Sequence, residues 1–236
     1  MGTYVTKDMA LSTYAAMMDR NLLGTFKTSS SDLSELTFSA LRTISDMDNS
    51  KWHAEATFQK SLGNNDQTGL VLTPMGTEMN MILPYAMQPS DKSTRLIIGL
   101  NNTRKLSDKV SWINQARFKK ALDKKEWAYG DQLELNSWVQ YQYKSSLSVS
   151  TRLKFVSQKA ISGSNSMIMA PVQTANPENY GGEELHIGFG ANYDLSSFTS
   201  KQDVFGVEVL FPIIQDKNGI QMETKHQIVL GFNRSF

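Results

Sequence analysis

The sequence predicts an all-β fold: an antiparallel transmembrane β-barrel of about twelve strands, eleven of them readable, with short turns at one end and long loops at the other. Three observations predict it. Segments of about ten residues alternate apolar with polar side chains, and successive side chains of a strand point to opposite faces. The connections between these segments alternate between short and long. Aromatic residues sit near the ends of the apolar faces, among them Trp52, Tyr141, Tyr143 and Phe236, a placement that suits a membrane–water interface.

The elements follow in order. A segment ending near Met17 reads as a strand, as do residues 22–28 and 33–44. Residues 52–58 set Trp52, Ala54, Ala56 and Phe58 against His53, Glu55 and Thr57. Residues 94–106 come next, and 110–118 set Val110, Trp112, Ala116 and Phe118 against Ser111, Gln115 and Arg117. The clearest case is 131–143, with Leu133, Leu135, Ser137, Val139, Tyr141 and Tyr143 opposite Gln132, Glu134, Asn136, Trp138, Gln140 and Gln142. Residues 147–155 and 185–195 repeat that pattern, and 204–211 read as a further strand. The last strand, 220–236, carries Ile220, Met222, Thr224, His226, Ile228, Leu230, Phe232, Arg234 and Phe236 on one face.

Short turns are expected at 19–21, 46–50, 107–109 and 144–146, with 196–202 a longer member of this set. Long connections are expected at 62–92, 122–130, 158–182 and 212–219. Membrane barrels have short periplasmic turns and long external loops, which puts Phe236 on the short-turn side. Eleven is an odd count where single-chain bacterial barrels use even numbers. A twelfth strand is therefore expected, supplied in part by residues 1–7 or by sequence that once preceded them.

Composition bounds the function. The 236 residues form one domain, 40% hydrophobic and 20% charged. A mean hydropathy of -0.36 suits a barrel, because half of each membrane strand faces a polar lumen. No run of 18 apolar residues exists, so no transmembrane helix is expected. The net charge of +1 argues against a nucleic-acid partner, which calls for a basic patch. Without cysteine there are no disulfides and no thiolate chemistry. Met1-Gly2 opens no signal peptide, having neither a charged nor an apolar leader region; an exported chain is expected to have lost its leader.

The terminal strand ending in Phe236 resembles the C-terminal signal of bacterial outer-membrane barrels, which engages the barrel-assembly machinery. Further motifs carry a resemblance over roughly residues 30–236: Thr73-Pro74-Met75-Gly76; Leu83-Pro84-Tyr85-Ala86-Met87-Gln88; Tyr129-Gly130-Asp131 with Glu134-Leu135 and Trp138; Pro171-Val172, Thr174-Ala175-Asn176-Pro177 and Gly181-Gly182-Glu183; and Phe211-Pro212, Gln215-Asp216, Asn218-Gly219 and Gln221-Met222-Glu223-Thr224. In this order they resemble a family of Gram-negative outer-membrane transporter-like proteins related to those of the phenol-degradation meta-pathway. Members tend to carry an aromatic two residues before the end, where this chain has Arg234, whose long side chain can snorkel to an interface. The resemblance implies residence in the outer membrane among lipid and lipopolysaccharide, and passive passage of small molecules, apolar or aromatic ones among them. It implies neither catalysis nor a cofactor.

The candidate lumen lining is Glu55, Arg95, Arg117, Lys119, Glu134, Trp138, Arg152, Lys154, Glu208, Glu223 and Lys225. It reads either as a pore lining or as an ion-paired network filling a narrow barrel, since interior charges must pair or meet water. Both signs are present, so no strong preference for one ion sign is expected. Met75, Met79, Met81, Met87, Met167 and Met169, with Tyr85, lie on long loops. They read first as loop packing, then as a pliable solute vestibule, and last as a soft-metal site, since no Cys or His accompanies them. His53, His186 and His226 fall on separate strands. A lipid hydrolase would need a serine such as Ser137 beside one of them, His226 being on the same apolar face, and no spacing joins them. The alternatives to a channel are thus an outer-membrane lipid hydrolase and a structural barrel with a plugged lumen.

Overall fold

A single up-and-down meander builds the main sheet, because each strand is joined to the next by a reversal and pairs antiparallel with it. The computed structural model describes residues 2–5, 9–22, 28–73, 75–168, 173–199 and 202–235. Its strands are β1 (Gly2–Val5), β2 (Met9–Leu22), β3 (Thr28–Met47), β4 (Ser50–Ser61), β5 (Thr68–Leu72), β6 (Glu78–Ile82), β7 (Thr94–Lys105), β8 (Val110–Ala121), β9 (Trp127–Ala128), β10 (Gln132–Lys144), β11 (Leu147–Gln158), β12 (Ser162–Gly163), β13 (Gly182–Asp194), β14 (Gln202–Lys217) and β15 (Gln227–Ser235). Eleven form one sheet in the order β1-β2-β3-β4-β7-β8-β10-β11-β13-β14-β15. The short pairs β5-β6 and β9-β12 lie within the long connections, with one-turn 3-10 helices at Tyr85–Met87, Gln173–Ala175 and Pro177–Asn179. A single helical turn, α1 (Ser196–Thr199), leads toward β14. Among the described residues no helix is long and apolar enough to cross a membrane, which says nothing of crossing by strands.

The two faces of the sheet have opposite chemistry. On β10, Leu133, Leu135, Val139, Tyr141 and Tyr143 are exposed, while Gln132, Glu134, Asn136, Trp138 and Gln140 turn to the other face and are half-buried or buried. The register carries this across neighbours: Glu55, Gly99, Arg117 and Glu134 occupy one row of the polar face on β4, β7, β8 and β10. The next row is exposed and apolar, with Ala56, Ile98, Phe118 and Leu133. Ile98 is 53% exposed in the middle of its strand. A water-soluble sheet buries such a face.

The outward-facing Trp and Tyr side chains of β4 to β13, with Phe205 and Phe232, sit at the short-turn end, whereas Phe58 and Phe118 lie toward the long loops. Trp52, Trp112, Tyr141, Tyr143, Tyr193, Phe205 and Phe232 lie within a few residues of the reversals at 48–49, 107–109, 145–146 and 195, or of the end of β15. The register joins Tyr193, Phe205 and Phe232 in one row. Phe236 itself lies outside the described residues.

Several expected boundaries are corrected. Asp19, Arg20 and Asn21 are no turn; they pair with Ser31, Ser30 and Ser29 inside the β2–β3 ladder. Of the strand expected at 22–28, Leu22 ends β2 and Thr28 begins β3, and the two pair; residues 23–27 lie outside the described residues. At the other end, Gly2–Val5 pairs with β2.

Of the long connection expected at 212–219, residues 212–217 are instead the continuation of β14. Pro212 stands opposite His186 beside a bulge between Leu185 and His186, where an interrupted ladder accommodates a residue with no N–H. Correspondingly, 220–226 are not strand, although their side chains alternate. The Gln215 side chain accepts from Thr224 N at 2.9 Å and donates to Thr224 O at 3.1 Å. Gln221 Nε2 donates to the carbonyls of Gly181 and Asn218, each at 2.7 Å. Side chains thus satisfy this backbone, and Ile220, Met222, Thr224 and His226 leave the apolar row expected of them.

Candidate functional site: the polar face and its loop cap

The strands hold the polar side chains in pairs that span the sheet. Arg117 Nη2 donates to Glu55 Oε1 at 2.8 Å, from β8 to β4, passing over β7. The residue beneath is Gly99, and a Cβ there would lie 3.0 Å from Glu55 Oε2 and 3.2 Å from Glu55 Cβ. The same device recurs with Arg152 on β11 and Glu208 on β14, 3.1 Å apart over β13. Here Gly188 and Gly190 lie between, and a Cβ on Gly188 would come 3.2 Å from Glu208 Oε1. The Arg152 Nε–H lacks hydrogen-bond geometry toward that oxygen, so this contact is an ion pair rather than a directed bond. Arg152 also stacks over Trp138, its guanidinium carbon 5.0 Å from the ring centroid, where a cation–π contact is favourable.

Between these pairs runs a hydrogen-bonded chain. Lys154 Nζ is 3.4 Å from Glu134 Oε2. Asn136 donates to Glu134 Oε1 at 2.8 Å and to Gln115 Oε1 at 3.1 Å, and Gln115 donates to Asn101 Oδ1 at 2.7 Å. Near the long-loop end, Glu184 is 2.8 Å from both His186 Nε2 and Lys217 Nζ. Buried charges and amides are tolerated only when partnered in this way.

The long connections interlock above this face. Tyr85 and Trp127, 1% and 0% exposed, meet edge to face at 4.8 Å, with Ile161 and Ile168 buried beside them and Tyr129 and Tyr180 packed against them. A second cluster joins Val71, Leu83 and Met87 with Met81 and Ala175. Hydroxyls tie the loops to one another: Asn165 N donates to Tyr85 Oη, Tyr129 Oη donates to Tyr85 O, and Ala86 N donates to Tyr180 Oη, each at 2.9 Å. Asp91, fully buried, accepts from Ser93 N at 3.0 Å, from Ser93 Oγ at 2.7 Å and from Tyr129 N at 2.9 Å, and it pairs with Arg95. At the rim, Asp123 accepts from the backbone N–H and hydroxyl of Thr94, and the backbone bond holds its carboxyl below the usual range.

The structure places the expected lining residues unevenly. Glu55, Arg95, Arg117, Lys119, Glu134, Trp138, Arg152, Lys154 and Glu208 share the polar face. Glu223 and Lys225 do not: they are exposed in the 218–226 connection, a correction that follows from the later start of β15. The loop methionines divide between packing and exposure. Met81 and Met87 pack in the cap, and Tyr85 is its centre. Met75 and Met167 are 86% and 61% exposed, and Met79 is exposed. Met169 lies outside the described residues. His53 is on the polar face, His186 is buried against Glu184, and His226 is exposed in the connection before β15 rather than on the apolar face. Ser137 accepts from Trp112 Nε1 at 2.9 Å.

Two features went unread in the sequence. One is the apolar cap centred on Leu83, Tyr85, Trp127, Ile161 and Ile168, signalled by apolar residues inside long connections that fit neither strand nor solvent. The other is the glycine clearance at Gly99, Gly188 and Gly190, signalled by glycines interrupting the polar face of otherwise alternating strands. No protein-family model matches this chain, and no curated protein matches it.

Proposed function

We propose that this chain is an outer-membrane β-barrel of about twelve strands that passes small molecules along its polar interior, with the interlocked long loops governing entry. One observation carries the reading: the sheet is inside-out, with an exposed apolar face and a polar face held together by ion pairs. Only a lipid surround stabilises such a face over many strands, since soluble proteins rarely leave apolar patches beyond a few hundred Å² uncovered. The dimensions agree. From Leu133 to Tyr143 the apolar row of β10 extends roughly 33 Å at about 3.3 Å per residue. A tilt of about 45° reduces this to roughly 23 Å of height, close to the ~25 Å band of an outer-membrane barrel. The aromatic residues near the short turns suit its interfacial girdle.

The experiment is reconstitution of the folded chain in planar bilayers and in solute-loaded liposomes. Discrete conductance and solute release are the expected outcomes; a folded, inserted barrel with neither removes the channel reading. A second reading, a structural barrel with a filled lumen, is favoured by the Arg117–Glu55 and Arg152–Glu208 pairs that occupy the polar face and by the cap above them. It predicts insertion without conductance.

A further inference from the structure

Beneath the cap, where the inner ends of β3, β4, β7, β8, β10 and β11 meet the loops, lies a cavity of about 210 Å³. Its charged wall is uneven in how its groups are satisfied. Arg95 pairs with Asp91 and donates to Ser61 Oγ at 2.9 Å, and Asp91 is saturated by Ser93 and Tyr129 besides. Glu35 lines the cavity from β3, three places along the sheet from β8. Lys119, Gln132 and Gln158 stand side by side in one register row. None of these three side chains has a hydrogen bond or ion pair among the described residues. Half-buried polar groups lining a cavity without protein partners are satisfied by whatever enters it.

We infer that this cavity is a binding site for a small monocarboxylate, held by the Lys119 ammonium and the carboxamide N–H groups of Gln132 and Gln158. An ammonium gives one charge-assisted bond, and two carboxamides supply neutral donors for the remaining lone pairs of one carboxylate. Arg95 is committed to Asp91 and Glu134 to Lys154, and Glu35, which shares the cavity from β3, acts on Lys119 without an ion-pair contact among the described residues, so the row's single ammonium remains the group that a monoanion would meet. At ~30 Å³ per water the space equals about seven water molecules, which sets the ligand at the size of a short-chain acid. This deepens the passage reading and rests on it in one respect: the site would act as a way-station below the cap only if solutes cross.

The test is calorimetric titration of the folded, detergent-solubilised chain with sodium acetate, against sodium chloride at equal ionic strength. Acetate is expected to bind and chloride not. Lys119→Met is expected to weaken acetate binding about tenfold or more, the scale of one charge-assisted bond, while Lys119→Arg retains it. If Lys119→Met does not reach the folded band on an unboiled gel, Gln132→Leu serves instead, with a several-fold loss expected. Wild-type protein that ignores acetate, or a folded Lys119→Met (or Gln132→Leu in its place) that binds it equally, overturns the inference. Conductance separates the two readings: a barrel that binds acetate and does not conduct fails as a channel alone, and one that conducts without binding acetate fails only here.

Discussion

Arg117 reaches Glu55 over the bare backbone of Gly99, so the two charges meet at 2.8 Å although a whole strand separates theirs. The pair ties β4 to β8 independently of the ladder bonds of β7. It also sits where both side chains are shielded, Glu55 more than Arg117. Removing the carboxylate leaves a guanidinium with less compensation, and that penalty exceeds the net worth of an exposed pair. Glu55→Gln is therefore expected to destabilise the folded chain by about 1–3 kcal/mol, read as a lower urea midpoint in detergent.

Gly99→Leu tests the clearance itself. Its Cβ would crowd both the carboxylate and Cβ of Glu55, so moving the tip of the side chain alone gives no relief. A loss comparable to that of Glu55→Gln, about 1–3 kcal/mol, is expected. In the double variant the second change should add little, because both act on one contact.

Tyr85→Phe addresses the cap. The phenol oxygen is the acceptor for the buried Asn165 N–H, and the ring remains to pack against Trp127. An orphaned N–H costs about 1–3 kcal/mol. Hydrogen exchange should accelerate at Asn165 and its neighbours, with the main sheet unchanged. On the channel reading, open probability in bilayers should rise.

Leu135→Arg separates a lipid surround from water. Leu135 is already exposed, so the change would be nearly neutral for a soluble sheet. At the middle of a bilayer it costs about 2–4 kcal/mol. Folding into lipid vesicles is expected to fall sharply, measured as the fraction of heat-modifiable band. Unimpaired folding of the variant would remove the membrane assignment.

Asp123 makes the rim sensitive to acid. Its carboxyl is held low by the Thr94 N–H, so the bond contributes stability above the ordinary aspartate range near ~3.9 and loses it as pH falls through the lowered value. The protection of the Thr94 amide, taken relative to the intrinsic exchange rate at each pH, should fall on acidification below about pH 4, and Asp123→Asn should flatten that dependence.

The period-two rows were legible because a sheet with one apolar face writes its register directly into sequence, as in 131–143 and 147–155. The ends were less so. Asp19, Arg20 and Asn21 look like a turn by residue type, yet β2 carries them in its ladder. Residues 220–226 alternate like a strand, yet the amide of Gln215 holds Thr224 in place of a ladder partner. Local pattern cannot register a side chain that substitutes for a strand. The paired charges Glu55 and Arg117 could be named as facing one side, but which cation meets which carboxylate depended on Gly99, a residue conspicuous only for what it lacks.

The cap has a consequence for how the molecule comes apart. Leu83, Tyr85 and Trp127 are hidden from water in the ordinary way, among their own loops. The sheet beneath has its apolar side outward, so on the proposed membrane reading its integrity answers to the surrounding amphiphile. On that reading two solvents govern two regions of one chain. A denaturant dissolved in water would be felt first by the cap, and a change of detergent or lipid first by the strands, so that heating in different amphiphiles should shift one melting step and leave the other in place.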